Sequence, residues 1–259
     1  MSVLAGVRGF VFDLDGCVWG GRVLNPGARE LLTALHARGS RLAFISNNSR
    51  ETGVALRAGL HAVGVTVAEH VLTPLDILGE AILDRFGPSR VLVIGGPEMA
   101  VVVSRSGHEP VAVKDYRRAT VVAVGNDFDL TYERLTAASR AVAAGAPLVT
   151  PNLDPRLPVE GGDFLPGCGA IVQAVAVAGG VRPIVIGKPE PPLFRIALDR
   201  LGLGASATAM VGDSVASDVE GAHAVGMRTV LYAPRGAPEP SRADVVIGSF
   251  AELARLAGV

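Results

Sequence analysis

The chain has 259 residues, 49% of them hydrophobic, and a formal net charge of -1. That length and composition allow one large domain or two modest ones with a sizeable core. Balanced charge, without a basic stripe, aromatic-rich patch or charge run, argues against nucleic acid or a membrane surface as partner.

The two cysteines, Cys17 and Cys168, make neither a disulfide framework nor a zinc cluster. They read as small buried hydrophobes in a reducing compartment. No apolar run is long enough to span a bilayer, and Met1 to Gly6 lacks the basic start of a secretory signal. A cytoplasmic location is the expectation.

The first element, Val7 to Phe12, is an apolar run apart from Arg8 and reads as a buried parallel strand. It runs into Asp13-Leu14-Asp15-Gly16. Ligands of open α/β sheets bind at the carboxyl ends of strands. Two acids there are costly to desolvate without a positive partner, and magnesium is the usual oxygen-seeking one. Taken alone, the pair reads more commonly as caps of the following turn.

Cys17 to Gly21 is a short glycine-flanked excursion, with the makings of a hairpin flap. Asn25-Pro26 then reads as the cap and first residue of a helix ending at Gly39. A second strand, Arg41 to Ile45, leads into Ser46-Asn47-Asn48-Ser49-Arg50, hydroxyl and amide donors just before a helix. Such a cluster suits phosphate oxygens, and equally an ordinary capped turn.

After Thr73-Pro74 a separate α/β series runs to about Pro183, with helices over Leu75–Phe86, Tyr132–Ala144 and an alanine-rich stretch from Cys168 to Gly179. Strands are expected at Val91–Ile94, Thr120–Val124 and Pro147–Thr150. Asn152 to Pro158 is a polar, proline-studded loop able to face a ligand or simply to connect.

Pro183 to Ile186 reads as a strand delivering Lys188, either a fixed cation or a solvated surface lysine. Thr208 to Val211 is another, running into Gly212-Asp213-Ser214 with Asp218 five residues after Asp213. Strands at Thr229–Tyr232 and Val245–Ile247 and a helix from Phe250 close the chain, with a Pro/Gly-rich loop from Arg235 to Arg242. The five histidines show no ligand spacing.

Together these strand ends supply the parts of phosphoryl transfer through an aspartyl-phosphate. Asp13 is the nucleophile and Asp15 the general acid and base. Asp13, Asp213 and the Asp15 carbonyl would hold magnesium, with Ser214 and Asp218 bracing the site from behind. Ser46, Asn47 and Lys188 hold the remaining oxygens.

These motifs, in this order, resemble the haloacid dehalogenase superfamily of phosphatases. Asp13-Leu14-Asp15-Gly16 matches its first motif, Ser46 its second, Lys188 its third, and Gly212-Asp213 with Asp218 its fourth. Ile45 to Ser49 and Val185 to Pro189 are similar to the NagD-like branch, which includes p-nitrophenyl phosphatases.

The resemblance implies a Rossmann-like, doubly wound parallel-sheet α/β core over 1–74 and 184–259. It implies a large inserted α/β cap over 75–183 that selects the substrate. It also implies an obligatory Mg2+ ion, a small phosphorylated metabolite as partner, and a homodimer through the cap. Gly16, Ser46, Asn47, Asn48, Lys188 and, from the cap, Asp154 form the implied phosphate and substrate set. The chain departs from the pattern at Ser214, where Arg is frequent, at Ser217, where Thr is frequent, and at Cys17, where Thr or Val is usual. A phosphotransferase or phosphomutase of the same superfamily is the alternative enzyme, and a phosphate-binding module without catalysis the alternative outside enzymes.

Overall fold

The computed structural model describes residues 3–158, 163–236 and 241–259. Of the loop expected from Arg235 to Arg242, residues 237–240 lie outside the described residues.

Two parallel sheets with helices between their strands make the chain an α/β protein. The first is six-stranded, in the order Val245–Ile247, Arg228–Tyr232, Thr208–Gly212, Gly9–Phe12, Arg41–Ile45, His70–Leu72. The order reverses around Gly9–Phe12, which pairs on one side with Thr208–Gly212 and on the other with Arg41–Ile45. A reversal of this kind opens a crevice at the carboxyl ends of the strands.

Gly9–Phe12 is buried at every residue, which is why it lacks the alternation of a half-exposed strand. Phe10, Phe12 and Phe44 stack in series across the sheet, with centroids 6.1 and 5.9 Å apart.

The second sheet has five strands, in the order Ile184–Val185, Leu148–Thr150, Val121–Val124, Arg90–Ile94, Glu109–Val111. Its core mixes Leu92, Ile94, Val122 and Val124 with Ala138, Val142, Val172 and Val175 from two helices. Small residues at the helix faces let those helices lie close to the strands.

The described chain divides into two compact units. One comprises Met1–Ser46, Gly53–Leu72 and Lys188–Val259, and the other Asn47–Thr52 and Thr73–Gly187.

Three local expectations differ from what is found. The helix expected at Asn25-Pro26 begins at Ala28, because the Asn25 amide donates instead to the carbonyl oxygens of Cys17 at 2.5 Å and Gly16 at 3.3 Å. The strand before Lys188, Ile184–Val185, pairs with Leu148–Thr150 in the second sheet, so Lys188 does not leave a strand of the first. The proline-studded loop ends in a short antiparallel strand, Arg156–Pro158, paired with Phe164–Pro166. The excursion after Gly16 is the expected hairpin, Trp19–Gly20 against Val23–Leu24.

Candidate active site

Asp13 leaves the strand Gly9–Phe12 with its backbone N–H still bonded to the Val211 carbonyl at 2.8 Å. That bond fixes its Cα between two strands. The side chain is buried, with 7% of its surface exposed. One carboxylate oxygen, Oδ1, accepts from Lys188 Nζ at 2.5 Å. The other, Oδ2, is buried and has no hydrogen-bond partner among the described residues. A buried orphan of this kind is uncommon and calls for an explanation.

Lys188 is itself buried and donates also to Asp218 Oδ1 at 2.7 Å. Burial alone would lower its pKa. The carboxylates of Asp13 and Asp218 outweigh that and hold it above the ordinary lysine value, so the ammonium stays charged. The other oxygen of Asp218 accepts the Ser214 N–H at 3.1 Å. Ser214 Oγ in turn caps the wide turn over Val215–Val219 by accepting from Ser217 N.

Asp13, Asp213 and Asp218 offer carboxylate oxygens that all lie within 4.8 Å of one another. Burial is the main influence on Asp13 and pushes its carboxyl well above the usual range, with Lys188 the largest opposing one. Desolvation and then the Asp218 carboxylate push Asp213 up to about 6, although its side chain remains open to solvent. Three carboxylates thus face one ammonium, a charge deficit that one divalent cation would cancel. The hard oxygen donors, the orphaned Oδ2 and the solvent-open Asp213 fit a magnesium ion.

Asp15 sits one turn on and is exposed. Ser46 Oγ, at the end of the neighbouring strand, donates to its Oδ2 at 3.0 Å. The indole Nε1 of Trp19 donates to its Oδ1 at 2.9 Å. Gly16, between the two acids and the hairpin, has φ 99°. A Cβ there would run into the Asp213 carboxylate, so both its conformation and its lack of a side chain keep the acids together. Cys17 packs behind, its thiol pushed well up by burial and by the nearby carboxylates.

The first unit therefore gathers Asp13, Asp15, Gly16, Ser46, Lys188, Asp213, Ser214 and Asp218. The other expected residues, Asn47, Asn48 and Asp154, belong to the second unit. There the Asn47 amide donates to Asp154 Oδ2 at 3.3 Å, and Asn152 donates back to the Asn47 carbonyl at 2.5 Å. Asn48 Oδ1 accepts from the N–H groups of Arg50 and Glu51, the capping role its position also allowed. Trp19 was not foreseen as part of the site. Its signal is an indole four residues after the second acid.

Known proteins resemble this chain over most of its length. Residues 10–109 match the family model for haloacid dehalogenase-like hydrolases, and residues 185–252 a second model for HAD-hydrolase-like chains. An acid sugar phosphatase of Staphylococcus haemolyticus is 34% identical over 224 residues, 86% of this chain and 84% of its own. The crystal structure of a 4-nitrophenylphosphatase from Thermotoga maritima superposes with TM-score 0.86 at 30% identity, covering 98% of this chain and 99% of that one. A glycerol phosphate phosphatase from Mycobacterium tuberculosis, crystallised in complex with magnesium, has TM-score 0.84 and 31% identity, covering 97% of this chain and 78% of that one.

Proposed function

The chain is a phosphatase belonging to the haloacid dehalogenase-like hydrolases, and from that premise we propose that it hydrolyses small phosphate monoesters with magnesium, using Asp13 as nucleophile. The observation carrying this reading is the Asp13 carboxylate, one oxygen held by Lys188 and the other buried without a partner. Lys188 fixes that carboxylate and opposes the burial that favours its protonated form, while the unpartnered oxygen is left for a metal ion.

Asp13 attacks in line, forming an aspartyl-phosphate as the ester P–O bond breaks. Asp15 gives its proton to the departing alcohol oxygen. The Asp15 carboxylate then takes a proton from water as that water attacks the phospho-aspartate, releasing phosphate and Asp13. An acid/base placed this way contributes roughly 10²–10⁴-fold. Trp19 and Ser46 hold the Asp15 carboxyl by both oxygens, and Ser46 also faces the phosphoryl group. Lys188, kept charged by Asp218, balances negative charge gathering on the phosphoryl oxygens.

Magnesium would be held by Asp13, Asp213 and the backbone carbonyl of Asp15, with Asp218 behind, and would supply Lewis-acid neutralisation of the phosphoryl oxygens. Sugar, glycerol, glycolate, nucleotide and p-nitrophenyl phosphates are the substrate class. The named activities of the similar proteins support the sugar and glycerol esters first.

The second unit acts as a cap that chooses among these, with Asn47 and Asp154 as polar contacts. It also provides the contact of a homodimer, which sedimentation would show as twice the chain mass and which a monomeric mass would overturn. A cytoplasmic location accords with two free buried cysteines and with no helix among the described residues being long and apolar enough to cross a membrane. Recovery of the protein in a membrane or secreted fraction would overturn it.

Release of phosphate from p-nitrophenyl phosphate and a panel of small esters, with and without magnesium, tests the reaction. Turnover should need the metal and fall to background in Asp13→Asn. Turnover surviving in that variant would remove Asp13 as nucleophile. Transfer to an added alcohol with no release to water would make the protein a phosphotransferase.

A further inference from the structure

A second site lies in the first unit, away from the acids. A cavity of about 540 Å³ opens where two neighbouring parallel strands begin, lined by Arg8, Arg38, Arg41 and Arg255. No acidic side chain lines it. Among the described residues no carboxylate pairs with any of the four. Four exposed arginines thus line one concavity that holds no acidic side chain to balance them.

Helix capping accounts for part of this. Arg38 donates to the Ala257 carbonyl and Arg41 to the Leu201 carbonyl, the last turns of the helices Phe250–Ala257 and Pro191–Leu201. Arg38 is also the C-cap of its own helix, Ala28–Ala37. Three helix carboxyl ends together carry about one and a half negative charges, which four guanidinium groups exceed. The carbonyl bonds also fix the forks of Arg38 and Arg41 without neutralising them. Arg8 and Arg255 are exposed; Arg255 stands in the last turn of Phe250–Ala257, where a cation is favourable, and Arg8 caps no helix among the described residues.

We propose that this cavity is an anion site for a small organic di- or triphosphate, separate from the Asp13 site. One phosphate cannot pair with four arginine forks, whereas two or three phosphoryl groups present enough oxygens for bidentate contacts. The volume lies within the usual range for small-molecule pockets, and Val7 and Leu203 give it an apolar wall for a non-phosphate moiety.

Its position is also informative. Arg8 immediately precedes the strand Gly9–Phe12 that ends at Asp13, and Arg41 begins the strand that ends at Ser46. The two sites therefore occupy opposite ends of the same two strands, five residues or about 17 Å apart at 3.3 Å per residue.

Calorimetric titration with pyrophosphate, in the absence of magnesium, tests this on the wild type, on Arg8→Gln/Arg255→Gln and on Ser46→Ala. Wild type and Ser46→Ala should bind alike, and the double arginine variant at least about tenfold more weakly. Added salt should weaken wild-type binding further. Both arginines are exposed, so an unchanged melting temperature will accompany the loss, and Arg255→Gln alone should show a smaller one. Absence of binding to the wild type at millimolar pyrophosphate would overturn the site. So would binding that survives in the double variant and falls in Ser46→Ala.

Discussion

At Asp15 two neutral donors hold one carboxyl, Ser46 Oγ and the indole of Trp19. The indole is 1% exposed and so cannot turn away. Trp19→Phe keeps the ring and removes the N–H. It should lower kcat roughly tenfold, the loss of one hydrogen bond to a carboxyl group, with KM little changed. An unchanged kcat would make Trp19 a packing residue only.

Asp213 carries a different prediction. Its carboxyl is pushed from 3.8 up to about 6 in the folded, metal-free protein. The folded state therefore binds this proton more tightly than the unfolded state does. Its stabilising contribution is complete below 3.8 and is lost as pH rises through about 6. Asp213→Asn should accordingly raise the metal-free melting temperature at neutral pH and change it little near about pH 4. Magnesium competes with the same proton, so its affinity for the wild type should fall as pH drops through about 6. A variant no more stable than wild type at neutral pH would remove the crowding as cause.

At the scale of the element, strand ends were the readable feature. Phe10 to Phe12, Leu42 to Ile45 and Ala209 to Val211 are apolar stretches that stop at Asp13, Ser46 and Gly212-Asp213, and burial on both faces makes such runs visible without any alternation. Ile184–Val185 was visible as a strand but not as a member of the second sheet. Two residues carry too little pattern to choose a partner, and the choice is made by Leu148–Thr150 beside it. His70–Leu72 and Glu109–Val111, three residues each, were missed for the same reason. The arginine cavity was illegible because its members stand at opposite ends of the chain and meet only after folding.

The helix Pro74–Phe86 shows a local rule at work. Asp76 Oδ2 accepts from both the backbone N–H and the hydroxyl of Thr73, at 2.7 and 3.0 Å, and Pro74 starts the helix. Asp76→Ala should cost about 1 kcal/mol, the usual worth of a capping interaction. A denaturant melt would register it as a lower midpoint with an unchanged slope, and an unmoved midpoint would deny the cap any part in stability.

For the whole molecule, the acids and Lys188 gather in one unit while Asn47 and Asp154 bond to each other in the second. If the first does the chemistry and the second selects, the two functions separate by mutation. Asp154→Ala should reorder the rates across the ester panel by about tenfold for the most affected substrates, as loss of a polar contact does, and leave the magnesium requirement as it was. An equal fall on every ester would assign Asp154 to folding instead.

The second unit is not one stretch of chain. The helix Gly53–Ala62 and the strand His70–Leu72 of the first unit interrupt it, and the outlying piece Asn47–Thr52 is bonded into it. Asn47 receives the Asn152 amide, and Ser49 Oγ accepts from the Asn126 backbone N–H at 3.4 Å. A recombinant exchange of 73–187 between relatives would therefore separate these donors from their acceptors. Grafting a new selectivity onto this scaffold requires transplanting the hexapeptide together with the long insert, as a matched pair.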